Sequence, residues 1–295
     1  MQPKEKNEQP KEKEALQKSY PNWKDLLSII AVYFLLSIAV GLAVGLTGKN
    51  RLEGFALFWG YCIPMGGTII YALFLQKLRA GDLRGLVKLS IHGLNPRLIL
   101  WGVVLMLAIS VAIEPLLELV PDQWLEGLNT MVGKGDGWSI LTTVIAASIL
   151  EETLFRGIIQ EGLFRKYEPW ISIVVSAVIF GAIHVIPQQV VAASLMGLVL
   201  GYIYYKTRSL LSVVILHAVN NALALLGLML SGGEPATLHE EIPIPWIYWT
   251  IYVAAALLLI ISLVKVVMLI RRGKFQEIAR PGRKPEKIDH EAAEN

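Results

Sequence analysis

Charge is what this sequence is short of. Only 17% of its 295 residues are Asp, Glu, Lys or Arg, where a soluble domain carries about 25%. Hydrophobic residues make up 54% and the mean hydropathy is +0.53, so part of the solvent of this chain is lipid. Cysteine is nearly absent as well. Cys62 stands alone in an apolar run, which excludes an intramolecular disulfide and a Cys-based zinc site and leaves a small buried hydrophobe. No HExxH pattern occurs and no internal repeat is visible. A cleaved signal peptide is not expected either. The first apolar run follows a charged tail of about 25 residues and exceeds the roughly 7–15 residues of a signal h-region. It reads as a retained first span.

What the chain has in place of charge is eight apolar runs, near 26–46, 55–76, 97–120, 139–164, 169–187, 189–205, 208–230 and 246–270. Most reach the roughly 20 residues that cross about 30 Å of hydrocarbon as a helix, and helices are expected because backbone in lipid must satisfy itself. The fifth and sixth runs are shorter and are expected to form a hairpin turning at Pro187-Gln188-Gln189. The fold class is therefore all-α: a polytopic membrane protein of about eight transmembrane helices. Lys and Arg collect in the tails and in alternate loops (Lys77 to Arg97, Arg165 and Lys166, Lys206 and Arg208). The positive-inside rule then puts both termini in the cytoplasm. The net charge of +3 is thus membrane topology and not a nucleic-acid surface. The expected organisation is a disordered polar tail over 1–25, transmembrane helices and an amphipathic loop (77–97) within 26–138, and a core over 139–230. An outer loop with the last helix comes next over 231–270, and then a basic polar tail over 271–295. The expected setting is a bacterial cytoplasmic membrane.

Ionisable groups deep in a span are costly and mark functional sites by default. Glu114, near the outer end of the third run, and Lys265, which can snorkel, have ordinary readings. His92, His239 and His290 fall in loops or tails and receive no role. What remains is Glu151, Glu152 and Arg156 in the fourth run, His184 in the fifth, and His217, Asn220 and Asn221 in the seventh. Counted at 1.5 Å per residue from the nearest cytoplasmic charge, Glu151, His184 and Asn221 lie at depths of roughly 20–22 Å, and His217 at roughly 14 Å. Three helices thus carry polar groups at about one level.

Spacing suggests roles. Glu152 and Arg156 are four apart and face each other on a helix, which leaves Glu151, about 100° around, without a partner and suited to act as a base. His217 and Asn221 share a face, and Phe180 puts an aromatic wall beside His184 by the same spacing. A glutamate to activate water, a histidine to position it and a His/Asn pair to bind a developing oxyanion form a set for amide hydrolysis. Ser148, one turn before Glu152, reads as a helix-packing residue.

Glu151-Glu152-Thr-Leu-Phe-Arg156 has the form EExxxR, Phe180-Gly-Ala-Ile-His184 the form FxxxH, and His217-Ala-Val-Asn-Asn221 the form HxxxN. Together and in this order they resemble the CPBP family of intramembrane proteases, which includes type II CAAX prenyl proteases and bacteriocin self-immunity proteins. The likeness covers roughly residues 139–228. It implies Glu151 as water-activating base with His184 as its partner, His217 and Asn221 as oxyanion site, and Glu152, Arg156 and Phe180 in support. Two histidines and a glutamate could also hold zinc, but an asparagine amide is a poor ligand. A metal-free site with no required cofactor is favoured and zinc is left open. The expected partners are the bilayer and a membrane-embedded peptide or lipidated protein substrate. Two alternatives stand beside the protease: an ion-coupled transporter or proton relay, and a non-catalytic scaffold or immunity factor.

Overall fold

A computed structural model describes residues 20–46, 53–81, 94–120, 137–231 and 237–273. The two outer parts of the tails (1–19 and 274–295), His92, His290 and most of the expected amphipathic segment lie outside the described residues.

The described residues are all-α. In chain order the helices are α1 (Trp23–Leu46), α2 (Glu53–Ala80), α3 (Pro96–Leu117), α4 (Gly137–Leu163), α5 (Pro169–Ala182), α6 (Pro187–Thr207), α7 (Leu210–Leu230) and α8 (Pro245–Arg272), with one helical turn at Leu238–Glu241 before α8. All but α5 are long and apolar enough to cross a membrane. The surface confirms the solvent, since Leu35, Ile70, Leu100, Trp170, Trp246 and Ile260 are all more than half exposed. Apolar faces of this extent belong against lipid.

The helix starts are legible in local chemistry. Asn22 caps α1 reciprocally: its side chain accepts from the Asp25 N–H, and the Asp25 carboxylate accepts from the Asn22 N–H, both at 3.0 Å, a capping-box arrangement. Asp25 is buried and is reached by Arg79 at 3.4 Å. Tyr20, inside the stretch expected to be a polar tail, is buried and donates its hydroxyl to the Ala72 carbonyl at 2.7 Å. Proline opens α3, α5, α6 and α8, where its missing N–H costs nothing.

Pro187 corrects one expectation. It does not sit in the hairpin turn but starts α6, because its fixed φ suits a first helical position. The turn falls earlier, at residues 183–186. There Val185 has φ 65° and the Ile186 N–H reaches the His184 carbonyl at 2.7 Å, a γ-turn geometry that is rare for a β-branched residue. The sixth span is consequently a full 21 residues, and the fifth only 14.

Two apolar clusters flank α4. One joins α3, α5, α6, α7 and α8 around Leu105, Leu200, Val213 and Leu216. The other joins α1, α2, α4 and α5 around Ile29, Met65, Phe155 and Phe180. Small residues set the α5–α6 hairpin. A Cβ on Gly181 would meet the Val190 carbonyl oxygen at 2.6 Å as well as the Ser194 hydroxyl, and one on Gly197 would meet Ala177 at 3.0 Å. Since backbone cannot step aside, Gly181→Ala should lower stability by about 1–3 kcal/mol, read as a drop in thermal midpoint of the detergent-solubilised protein against wild type.

Candidate active site

The carboxylates sit on an irregular part of α4. Ile140–Ala146 and Thr153–Gln160 are π-helical, and between them runs a six-residue α-helical stretch, Ala147–Glu152, that ends on the two glutamates. Widened i→i+5 turns are rare and concentrate at functional sites. Apolar periodicity does not encode them.

Along this helix Ser148, Glu152, Arg156 and Gln160 form a fully buried polar row at intervals of four. Arg156 donates to Glu152 Oε1 at 2.8 Å and to the Gly197 carbonyl at 3.2 Å. Gln160 donates to the Gly201 carbonyl at 2.8 Å. Gly197 and Gly201, also four apart, let α6 come close enough for its carbonyls to be used twice. The expected Glu152–Arg156 pair is therefore present, and it bolts α4 to α6. The far end of α4 is fastened too, by Arg208 to Glu161 at 2.5 Å.

His217 of α7 lies between the two acids. Its Nδ1 is 2.9 Å from Glu152 Oε1 and its Nε2 is 3.8 Å from Glu151 Oε2. The first is a hydrogen bond; the second is too long for one and is a spacing at which a bridging water is the natural question. Phe180 of α5 completes the wall. The Arg156 guanidinium lies over its ring at 4.5 Å, and the His184 and His217 rings meet it edge-on at 5.2 and 5.8 Å. Two imidazoles from different elements are thus gathered around one phenyl ring. His184 is half-buried in the 183–186 turn, past the end of α5, with Nδ1 2.9 Å from the Phe180 carbonyl. In the neutral ring that carbonyl accepts from Nδ1–H and leaves Nε2 as an acceptor.

Asn221 is one turn beyond His217 and donates to the Thr143 carbonyl at 2.9 Å. This bond crosses to the first π-helical stretch. The expected face-sharing of His217 and Asn221 thus holds along α7, but each has its own partner on α4. Among the described residues no three His, Cys, Asp or Glu side chains gather as a metal-ligand set.

Glu151 departs from expectation. It is buried, but not without a partner: the Tyr61 hydroxyl of α2 donates to its Oε1 at 2.6 Å. Sequence reasoning passed over Tyr61 because a tyrosine in an apolar span normally reads as packing or interface. A signal was available: sixteen residues before Lys77 place it about 24 Å deep, near the level of the other polar groups.

Comparison with known proteins bears on the same stretch. Residues 134–223 match the protein family described as "Type II CAAX prenyl endopeptidase Rce1-like", a segment that contains Glu151, Glu152, Arg156, Phe180, His184, His217 and Asn221. A Bacillus subtilis (strain 168) protein named "Putative membrane peptidase YdiL" is 29% identical over 82 residues, which is 28% of this chain and 34% of that protein. The chain thus aligns with only about a third of that relative's length. No solved structure matches.

Proposed function

We propose that a chain carrying this Rce1-like segment hydrolyses a peptide bond within the membrane, with Glu151 as the base that activates water. The observation that carries the reading is the buried approach of Glu151 Oε2 to His217 Nε2 at 3.8 Å. A water seated there would touch a carboxylate on one side and an imidazole on the other.

The chemistry needs no further group. Glu151 takes a proton from water as the oxygen adds to the scissile carbonyl carbon, and the carbonyl oxygen becomes an oxyanion. The same proton then passes to the departing amide nitrogen as the C–N bond breaks, leaving an acid and an amine. With Nδ1 engaged by Glu152, His217 has Nε2 to offer the oxyanion, as a donor when the ring is protonated. In that state Glu151, Glu152, Arg156 and His217 sum to zero charge. Asn221 retains a second amide hydrogen for the same purpose. His184 presents Nε2 from the turn and assists in holding water. The water-excluding setting strengthens each of these contacts.

The substrate class is a membrane-associated peptide or a lipidated protein tail, and the distribution of basic residues supports an orientation with both ends of the chain in the cytoplasm. No step is routed through a metal. Cleavage should accordingly persist after dialysis against a strong chelator. Loss of cleavage that zinc alone restores would move the chemistry to a metal ion.

A transporter reading has one observation on its side, since a shortened helix of 14 residues with a turn after it is akin to the broken helices of transporters. The discriminating experiment compares membrane peptides from cells carrying wild-type or Glu151→Gln protein. New peptide termini found only with wild type support hydrolysis. Identical peptides, with loss of an ion-dependent flux, would replace it with transport.

A further inference from the structure

We propose that Tyr61 is a positioning residue for Glu151: its hydroxyl fixes the carboxylate so that one oxygen is occupied and the other is left for water. The inference rests on the reading of Glu151 as the base. It concerns α2, which lies outside the segment that matches the protease family.

The bond is short, 2.6 Å from the Tyr61 hydroxyl to Glu151 Oε1, within the range of charge-assisted O–H···O⁻ bonds. Among the described residues it is the one hydrogen bond the Glu151 carboxylate makes. The neighbouring acid needs no such help, since Arg156 and His217 already hold Glu152 Oε1. For Glu151 the rotamer alone cannot set the carboxylate plane, because the terminal torsion of a glutamate is broad. The phenol removes that freedom. Oε1 is turned toward α2, and Oε2 faces His217 Nε2, the contact on which hydrolysis depends.

Tyr61 is itself held firmly. Gly54, Phe58, Tyr61, Met65, Thr68, Ala72 and Gln76 recur on α2 at intervals of three and four, the stripe by which a helix meets its neighbours. Met65, Thr68, Ala72 and Gln76 are buried. At the other end Gly54 lies so close under Trp138 of α4 that a Cβ would meet the Trp138 Cβ at 2.6 Å, and the Phe58 ring lies 5.7 Å from that indole. Tyr61 sits between these anchors, so its hydroxyl is presented to α4 from a fixed helix. Pro64 supplies no N–H to the Gly60 carbonyl. The helical ladder therefore lacks one rung beside Tyr61, in a helix that is otherwise regular.

The test is Tyr61→Phe, which keeps the ring and its packing and deletes the hydroxyl. The expected result is a kcat lower by about 10–100-fold, since even a small misplacement of a reacting group can cost on the order of 10²-fold. KM and protein level in the membrane should stay at wild-type values, and the thermal midpoint should fall by no more than one lost hydrogen bond explains, well short of Tyr61→Ala. A wild-type kcat would overturn the inference. So would a fall in kcat accompanied by a raised KM, or a thermal midpoint lowered as far as that of Tyr61→Ala, because either would make Tyr61 a packing residue. Glu151→Gln is measured alongside. If that variant still cleaves, the base assignment fails and takes this inference with it. If Glu151→Gln is inactive while Tyr61→Phe is normal, only the positioning role is lost.

Discussion

Replacing Glu151 by glutamine should slow cleavage by about 10²–10⁴-fold, the contribution of a positioned general base, while leaving the protein folded. The substitution is nearly isosteric. Its amide still accepts the Tyr61 hydroxyl through oxygen, so the contact between α2 and α4 survives. What disappears is an oxygen able to take a proton from water at the His217 side. The measurement is turnover of a membrane-embedded peptide by purified protein, normalised to the amount of folded material. Turnover within about a factor of two of wild type would remove Glu151 from the mechanism. The neighbouring Glu152→Gln is the informative contrast. Glu152 has no exposure and is engaged by Arg156 and His217, so its loss should first affect stability.

Arg156→Met should be the most damaging change to the fold. Arg156 is fully buried, pairs with Glu152, reaches the Gly197 carbonyl and covers Phe180. Removing it takes away the guanidinium that balances a buried carboxylate, which costs about 3–5 kcal/mol. The other Glu152 oxygen has no hydrogen-bond partner among the described residues, which leaves His217 Nδ1 as the remaining partner of this carboxylate. The double variant Glu152→Gln/Arg156→Met should recover much of the loss, because the Glu152 charge that Arg156 balanced is then gone as well. Thermal midpoints of the two single variants and the double variant give the coupling directly. Equal loss in Arg156→Met and in the double variant would show that packing against Phe180, and not charge, is what Arg156 contributes. Arg156→Lys should fall between. Lysine keeps the charge but cannot serve Glu152 and Gly197 with a planar fork while lying flat on the ring.

Several of these relationships are legible without coordinates, because they are local. Glu152–Arg156 is a four-residue interval on one helix, and helical winding turns such an interval into a contact wherever the helix is placed. Apolar runs locate the spans for the same reason: the fourth run, 139–164, becomes the helix 137–163. The pairing of Tyr61 with Glu151 joins positions ninety residues apart and has no periodic signature. Neither does the π-helical winding of α4, since it changes the backbone ladder and leaves composition untouched. The displaced hairpin turn has a different cause. Between two apolar runs Pro187 reads as a breaker. Yet proline disfavours helix only in the residues before it and is at home in the first turn of a new one. That asymmetry puts His184 in the turn and not within the helix.

The brevity of α5 reaches beyond the protein into the lipids around it. Its 14 residues span about 21 Å, against the roughly 30 Å of a hydrocarbon layer. Trp170, Val174 and Val178 are exposed along one side of it, so this short helix borders acyl chains directly. Bilayers answer such a mismatch by pinching inward or by letting headgroups and water descend. A dimple of that kind would open beside the 183–186 turn. A molecule of water bound for His184 would then have to cross only part of the oil.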